Sequence, residues 1–129
     1  MELTPRCHRV LAYAVERLSR FGHSHLTSSH LVLGLVMLNG GVANHLLKKA
    51  GFSIELVERY LSTLRRSQEA TTMRDSIPFG NSGWQAFERA GAEALTRGFH
   101  YLGTEHLLLG ILSEESGEAA ELFESVHLD

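Results

Sequence analysis

The chain has 129 residues, a formal net charge of −3 at pH 7 and a hydrophobic fraction of 43%. This composition predicts one soluble globular domain with a substantial core. The slight acidity argues against nucleic acid as a partner, because nucleic-acid binding usually needs a basic face. A membrane partner is not expected either, since the sequence has neither an apolar run of about 18 residues nor the apolar core of a signal peptide. The lone Cys7 suits a reducing compartment, which favours the cytoplasm.

Apolar residues at helical spacing dominate the first half of the chain. Thr4 is predicted to cap a first helix that ends near Gly22. A second helix over residues 28–38 is apolar nearly all round, which predicts a position in the middle of the core. A short third helix is closed by Gly51, and Ser53 can cap a fourth.

The segment that follows has the composition of a linker. Residues 65–83 have no apolar period and contain Pro78 with two glycines, and we place the linker at residues 65–81. Strand signals are absent here and elsewhere, so the expected fold class is all-α.

A second helical stretch runs over residues 82–129. Ser82 and Gln85 have the spacing of a capping box, which predicts a helix that ends at Gly98. Two further helices are predicted from about Thr104 and Glu118. The stretch has no counterpart of the fourth helix of the first half.

The two halves repeat one another. The line "TSSHLVLGLV" at residues 27–36 returns as "GTEHLLLGIL" at residues 103–112, a shift of 76 positions without a gap. We therefore expect repeat one at residues 1–64, with about four helices, and repeat two at residues 82–129, with three. The simplest packing of such a pair buries the apolar faces about a pseudo-two-fold axis.

Four residues of this line are expected to be structural. Gly34 and Gly110 recur at one position, although glycine costs a helix about 1 kcal/mol, so a neighbouring helix should pass too close for a side chain. His30 and His106 are flanked by apolar residues. We expect both to be buried ring donors that fix the loop to the helix.

Two enzymatic alternatives can be weighed from the residues. His23, His25 and His30 invite a metal site, but zinc needs three or four ligands of defined spacing and no cysteine or carboxylate cluster joins them, so no metal is expected. Cys7 beside His8 invites a thiol nucleophile, yet adjacent helical residues point about 100° apart. No catalytic residue is expected, and an enzyme built on His and Glu residues stays an alternative.

The repeated lines carry a resemblance to a known family. The segments "TSSHLVLGLV" with "GGVANHLLKKAG", and "RGFHYLGTEHLLLGIL" with "SGEAAELF", resemble the N-terminal double Clp-repeat domain of the Clp/Hsp100 ATPases of the ClpC, ClpA and ClpB type. The resemblance covers all but the linker. It implies a globular, all-helical domain that docks adaptors or protein substrates above an ATPase ring.

The resemblance leaves two functions open. The chain is either the recognition domain of a longer unfoldase, which the missing last helix favours, or a stand-alone Clp-repeat protein that modulates a Clp ATPase or peptidase ring in trans. No G-x-x-x-x-G-K-[ST] line occurs in the sequence, so we expect no ATP hydrolysis by this chain and no cofactor.

A ligand site is also implied by the resemblance. ClpC-type members place a Glu before the repeat His in both units, and those glutamates help to bind phosphorylated arginine. Here Glu105 is present, but Ser29 takes the first position. Because only a carboxylate accepts two parallel hydrogen bonds from a guanidinium, we expect at most one such site. The other candidates, at helix starts whose free amides would take the phosphate, are Thr104, Thr4, Arg6 and Ser82. The alternative is that Glu105 only offsets the helix dipole.

Two surfaces are candidates for a protein partner. An acidic surface for a basic adaptor would consist of Glu114, Glu115, Glu118 and Glu121, although such a run is often just a solvated helix face. An exposed apolar patch would consist of Trp84 and Phe79, with Ile77 nearby. The alternative that we favour is that Trp84 closes the junction between the two units.

Overall fold

The structure is a computed structural model that describes residues 2–64, 71–114 and 118–126. Helices make up most of these residues, and the all-α fold class is confirmed. The elements, in chain order, are β1 (Glu2–Leu3), α1 (Pro5–Leu18), α2 (Ser28–Met37), α3 (Val42–Lys49), α4 (Ile54–Thr63), β2 (Thr71–Arg74), β3 (Ile77–Gly80), α5 (Asn81–Thr96), β4 (Tyr101–Leu102), α6 (Thr104–Leu112) and α7 (Glu118–Ser125).

The helix ends of repeat one follow from local side chains. The Thr4 hydroxyl accepts a hydrogen bond from the N–H of Cys7 at 3.1 Å and thereby caps α1. At α4, the Ser53 hydroxyl accepts from the N–H of Leu56 at the same distance. A short 3₁₀ turn extends α1 to Gly22, whose φ of 69° is left-handed and stops the helix.

Helix α2 is the centre of the molecule. Its residues 28–36 are all buried, and the helix contacts every other helix of the described chain. Helix α2 is therefore apolar nearly all round because it is buried on all sides, as its sequence predicts. None of the described helices alone is long and apolar enough to cross a bilayer. Helices α2 and α3 would reach that length and apolarity only together, and they meet at 98°.

The two repeats exchange contacts reciprocally. Helix α3 of repeat one packs on α6, and α7 of repeat two packs on α2. Strand β1 pairs in parallel with β4, so that Leu3 lies beside Leu102. At the positions shifted by 76, Phe79 and Leu26 form the equivalent parallel bridge. Such mutual contacts are those that a pseudo-two-fold arrangement requires.

The expectation of no strands was wrong for the short β1–β4 pair and for the segment between the repeats. Strands β2 and β3 form an antiparallel hairpin around Asp75 and Ser76, whose φ angles of 48° and 68° suit a tight turn. Leu26 holds the hairpin, since its N–H donates to the carbonyl of Pro78 at 2.7 Å and its own carbonyl accepts from the N–H of Gly80 at 2.8 Å. The hairpin therefore packs onto repeat one, and residues 65–70 lie outside the described chain.

A backbone passes close to each of the two repeated glycines. A Cβ added to Gly34 would lie 2.5 Å from the carbonyl oxygen of Val10 in α1. A Cβ added to Gly110 would overlap the carbonyl oxygen of Ala86 in α5. The α1–α2 and α5–α6 crossings therefore both depend on glycine.

Candidate functional site

The N-terminal ends of α1 and α6 meet at a cleft of about 470 Å³, which we call the α1–α6 cleft. It brings together four predicted ligand residues from both repeats. Its lining consists of Thr4, Pro5, Arg6, Arg9, Val42, Gly103, Thr104 and Glu105. Sequence reasoning missed Arg9, although it follows Arg6 by three residues and hence shares its helix face.

Glu105 lies in the first turn of α6 and remains accessible. Its side chain is 48% exposed, and one carboxylate oxygen lies 3.9 Å from Nδ1 of the buried His106. The carboxylate folds back over the start of the helix, since a Cβ added to Gly103 would lie 2.6 Å from Oε1 of Glu105. A negative charge at this end offsets the helix dipole and leaves the carboxylate open to a cationic ligand.

Arg6 contributes positive charge to the lining of the cleft. Its guanidinium lies over the turn before α3, where ideal Cβ positions on Gly40 and Gly41 would be 3.6 Å from the guanidinium nitrogens. Thr104 Oγ1 lies 3.7 Å from the same Cβ position of Gly41. Within the described residues, neither Arg6 nor Arg9 forms an ion pair with Glu105. The cleft thus offers two cations and one anion that do not neutralise each other.

Cys7 is completely buried near the cleft. Burial raises the pKa of its thiol to about 12, and the negative charge of Glu105 adds to the shift. Because the thiolate is the reactive form, Cys7 is a core residue and not a nucleophile at neutral pH. The exposed His8 beside it has no activated thiol to serve.

The equivalent position in repeat one is closed. Ser29, the counterpart of Glu105, is 0% exposed, and its hydroxyl has no hydrogen-bond partner among the described residues. The hydroxyl of Ser82 accepts from the N–H of Ser28 at 3.1 Å. Helix α5 begins at Asn81, so the predicted capping role of Ser82 was wrong. Neither Ser29 nor Ser82 belongs to the α1–α6 cleft.

His30 and His106 fix the loop to the helix through Nδ1, which acts as a hydrogen-bond acceptor. The expectation that these rings act as donors was therefore wrong for Nδ1. Nδ1 of His30 accepts from the N–H of Thr27 at 2.9 Å, and Nδ1 of His106 accepts from the N–H of Gly103 at 3.0 Å. Burial, followed by the charges of His23 and His25, lowers the pKa of His30 to about 3. In the part of the chain that the structure describes, no three His, Cys, Asp or Glu side chains group as metal ligands.

The predicted apolar patch is largely internal. Phe79 is 2% exposed, and its ring centre lies 5.5 Å from those of Trp84 and Phe87. The guanidinium of Arg74 lies 4.6 Å from the centre of the Trp84 ring. An exposed patch that includes Phe79 was therefore wrong, while Trp84 and Ile77 are half-buried beside the hairpin.

The predicted acidic surface is described only in part. Glu114 is half-buried, and exposed Glu121 accepts from the hydroxyl of Tyr60 at 3.1 Å, across the two repeats. Glu115 and the side chain of Glu118 lie outside the described residues. The described acidic side chains thus include one that helps to join α4 to α7.

Comparison with known proteins identifies the family. The profile of the family described as "Clp repeat (R) N-terminal domain" matches residues 2–126. The chain is 34% identical over 124 residues to the "Negative regulator of genetic competence ClpC/MecB" of Bacillus subtilis and 31% identical over 123 residues to the chaperone ClpB of Oceanobacillus iheyensis. Each match covers 95% of this chain and 15% of the relative's length, so the chain spans about 15% of these relatives.

Two solved structures share the fold. The N-terminal domain of the chaperone ClpD from Arabidopsis thaliana matches with a TM-score of 0.82 and 20% identity, over 99% of this chain and 86% of that one. The Hsp104 N-terminal domain from Candida albicans matches with a TM-score of 0.73 and 17% identity, over 100% and 84% of the two chains. These likenesses show the fold, and the profile match over residues 2–126 shows that the chain belongs to the Clp N-terminal domain family of the Clp ATPases.

Proposed function

We propose that this domain recognises protein substrates or adaptors for a Clp-type unfoldase and performs no chemistry itself. The α1–α6 cleft is the proposed recognition site. The observation that carries the proposal is the convergence of Arg6, Arg9 and Glu105, which form no ion pairs with one another, between two helix starts. Charged side chains without partners at a cleft provide binding energy for a ligand of complementary charge.

Phosphorylated arginine on a protein substrate is the proposed ligand. Its guanidinium group would pair with the carboxylate of Glu105, whose side chain is 48% exposed. Its phosphate would face Arg6 and Arg9, together with first-turn N–H groups of α6 that have no partner within the helix. The resemblance to ClpC-type members supports this ligand, since those members place a glutamate before the repeat histidine, as this chain does at Glu105 and His106.

The variant Glu105→Gln tests the proposed site. Loss of a charge-assisted pair should weaken binding of a phosphoarginine peptide about 10- to 100-fold. The melting temperature should change little, because the side chain is half exposed. Isothermal titration calorimetry with the phosphoarginine peptide, and with the same peptide carrying unmodified arginine, measures both affinity and selectivity.

The matched control is Glu16→Gln, which removes an exposed carboxylate from α1 outside the cleft. It should bind the phosphoarginine peptide as the wild type does. Equal affinity of the Glu105 variant and the wild type would place the ligand elsewhere. Equal affinity of the wild type for the modified and unmodified peptides would contradict phosphoarginine as the ligand.

A further inference from the structure

Repeat one has a buried histidine cluster that repeat two lacks. His23, His25 and His30 are 8%, 5% and 1% exposed. At the positions shifted by 76, repeat two has Phe99, Tyr101 and His106. There the two aromatic rings pack on His106, with ring centres 4.9 and 6.2 Å away. The difference between the repeats therefore lies in groups that can take up a proton.

The hydrogen bonds of the cluster fix where each proton lies. Nδ1 of His30 accepts from the N–H of Thr27, so a neutral His30 carries its proton on Nε2. Nε2 of His30 lies 2.8 Å from Nδ1 of His23, which must then be an acceptor. His23 consequently carries its proton on Nε2, which lies 3.3 Å from the carbonyl oxygen of Leu64. Each link of this His23–His30 relay contains one proton.

The relay joins two helix ends. Thr27 is the residue that precedes α2, and Leu64 is the residue that follows α4. Leu64 is also where the chain leaves repeat one towards the hairpin. The two rings are thus the hydrogen-bonded link between the start of the central helix and the exit of the chain from the first repeat.

We propose that the His23–His30 relay is an acid-sensitive latch, which holds the start of α2 to the end of α4 and opens when either ring gains a proton. An imidazolium has two N–H donors and no acceptor. A protonated His23 would point an N–H at the N–H of His30. A protonated His30 would point one at the N–H of Thr27, which lies 2.9 Å from Nδ1 beside the Thr27 hydroxyl at the same distance. In both cases one link of the relay is replaced by two opposed donors.

No anion in the described residues is placed to stabilise an imidazolium here. Arg17 near the end of α1 and Arg20 in the 3₁₀ turn after it lie 2.9 and 3.5 Å from the carboxylate of Glu58 in α4. This carboxylate is therefore already paired with two arginines. The first two turns of α5 and strand β3 carry no charged residue. His25 adds a further buried ring, and its Nε2 has no hydrogen-bond partner among the residues that the structure describes. The low pKa of His30 is consistent with this environment.

The wild-type protein permits a first test by nitrogen-15 NMR of the histidine rings. At about pH 7.5, where unperturbed imidazole is neutral, both His23 and His30 should show the form with the proton on Nε2. The opposite form for either ring would overturn the relay. This measurement needs no variant and so does not depend on whether a substitution folds.

The second test is hydrogen exchange of the Leu64 amide, which donates to the carbonyl of Leu61 and reports the end of α4. If opening of the latch takes up one proton, the open state of the wild type becomes about tenfold more populated for each pH unit below about pH 6.5. The protection factor of the Leu64 amide should then fall about tenfold per pH unit. In His23→Phe, which copies Phe99 of repeat two, the link to the Leu64 carbonyl is absent, so the Leu64 protection should depend less steeply on pH than in the wild type. A wild type without acid dependence, or a variant with the full dependence, would refute the latch.

His23→Gln is the matched variant that retains the hydrogen bonds. Its amide oxygen can accept from His30 and its amide nitrogen can donate to Leu64, but it does not titrate. The protection of Leu64 in this variant should fall only at lower pH than in the wild type. Acid dependence identical to that of the wild type would show that His23 takes no part in the opening.

Discussion

Gly110→Ala is expected to lower the free energy of unfolding by about 3 kcal/mol. The added Cβ would overlap the carbonyl oxygen of Ala86 and lie 2.8 Å from the nitrogen of Ala90, both in the backbone of α5. A side chain could turn away, but a helix backbone can only move as a whole, so α5 and α6 must separate and lose packing along their contact. Urea unfolding followed by circular dichroism measures the change, and an unchanged m value would show that the unfolding transition stays two-state.

The chain provides matched comparisons for this prediction. Gly91 also lies within α5, but a Cβ added there would meet nothing within 4 Å. Gly91→Ala should therefore raise the free energy of unfolding by about 0.5–1 kcal/mol, because alanine restricts the unfolded chain and favours the helix. Gly34→Ala should destabilise like Gly110→Ala, since its Cβ would be 2.5 Å from the oxygen of Val10. Equal stability of the Gly91 and Gly110 variants would show that the close crossing does not limit these helices.

The starts of α1 and α4 were predictable from the sequence because their signals are local, whereas the predicted start of α5 at Ser82 was wrong. Thr4 and Ser53 cap helices with side chains three residues from the N–H groups that they accept. The β2–β3 hairpin was not predictable in the same way. Its anchor is Leu26, more than 50 positions away from Pro78 in the sequence. Strand formation depends on such distant contacts far more than helix formation does.

The candidate site was predictable as residues but not as a shape. Thr4, Arg6, Thr104 and Glu105 could each be placed at a helix start from the sequence, and only the reciprocal packing of the repeats brings those two starts to one cleft. The alignment of the repeats treats Ser29 and Glu105 as equivalent. Ser29 is fully buried while Glu105 is half exposed, because the start of α2 meets α5 at the Ser28–Ser82 hydrogen bond. Burial of this kind is a property of the tertiary contacts.

Acidification is expected to destabilise the domain by about 1.4 kcal/mol per pH unit between about pH 6 and pH 4 through His30 alone. Burial lowers the pKa of His30 from 6.5 to about 3 in the folded state. In this range the unfolded chain binds a proton that the folded chain does not, so the contribution is complete above about pH 6.5 and is lost as the pH falls towards 3. Urea unfolding at several pH values measures the slope of the free energy.

His30→Gln separates this contribution from those of the other seven histidines and the carboxylates. The glutamine amide can accept from the N–H of Thr27 and donate to Nδ1 of His23, so the variant can retain both hydrogen bonds while it removes the titration. Its slope should be smaller than that of the wild type by about 1.4 kcal/mol per pH unit. His45→Gln, which removes an exposed ring from α3, serves as the control for histidine number and should retain the wild-type slope. Parallel stability curves for the wild type and His30→Gln would mean that His30 is protonated in the folded state. That result would contradict the structure, because the hydrogen bond from the N–H of Thr27 to Nδ1 and the 2.8 Å link to His23 together require a neutral ring.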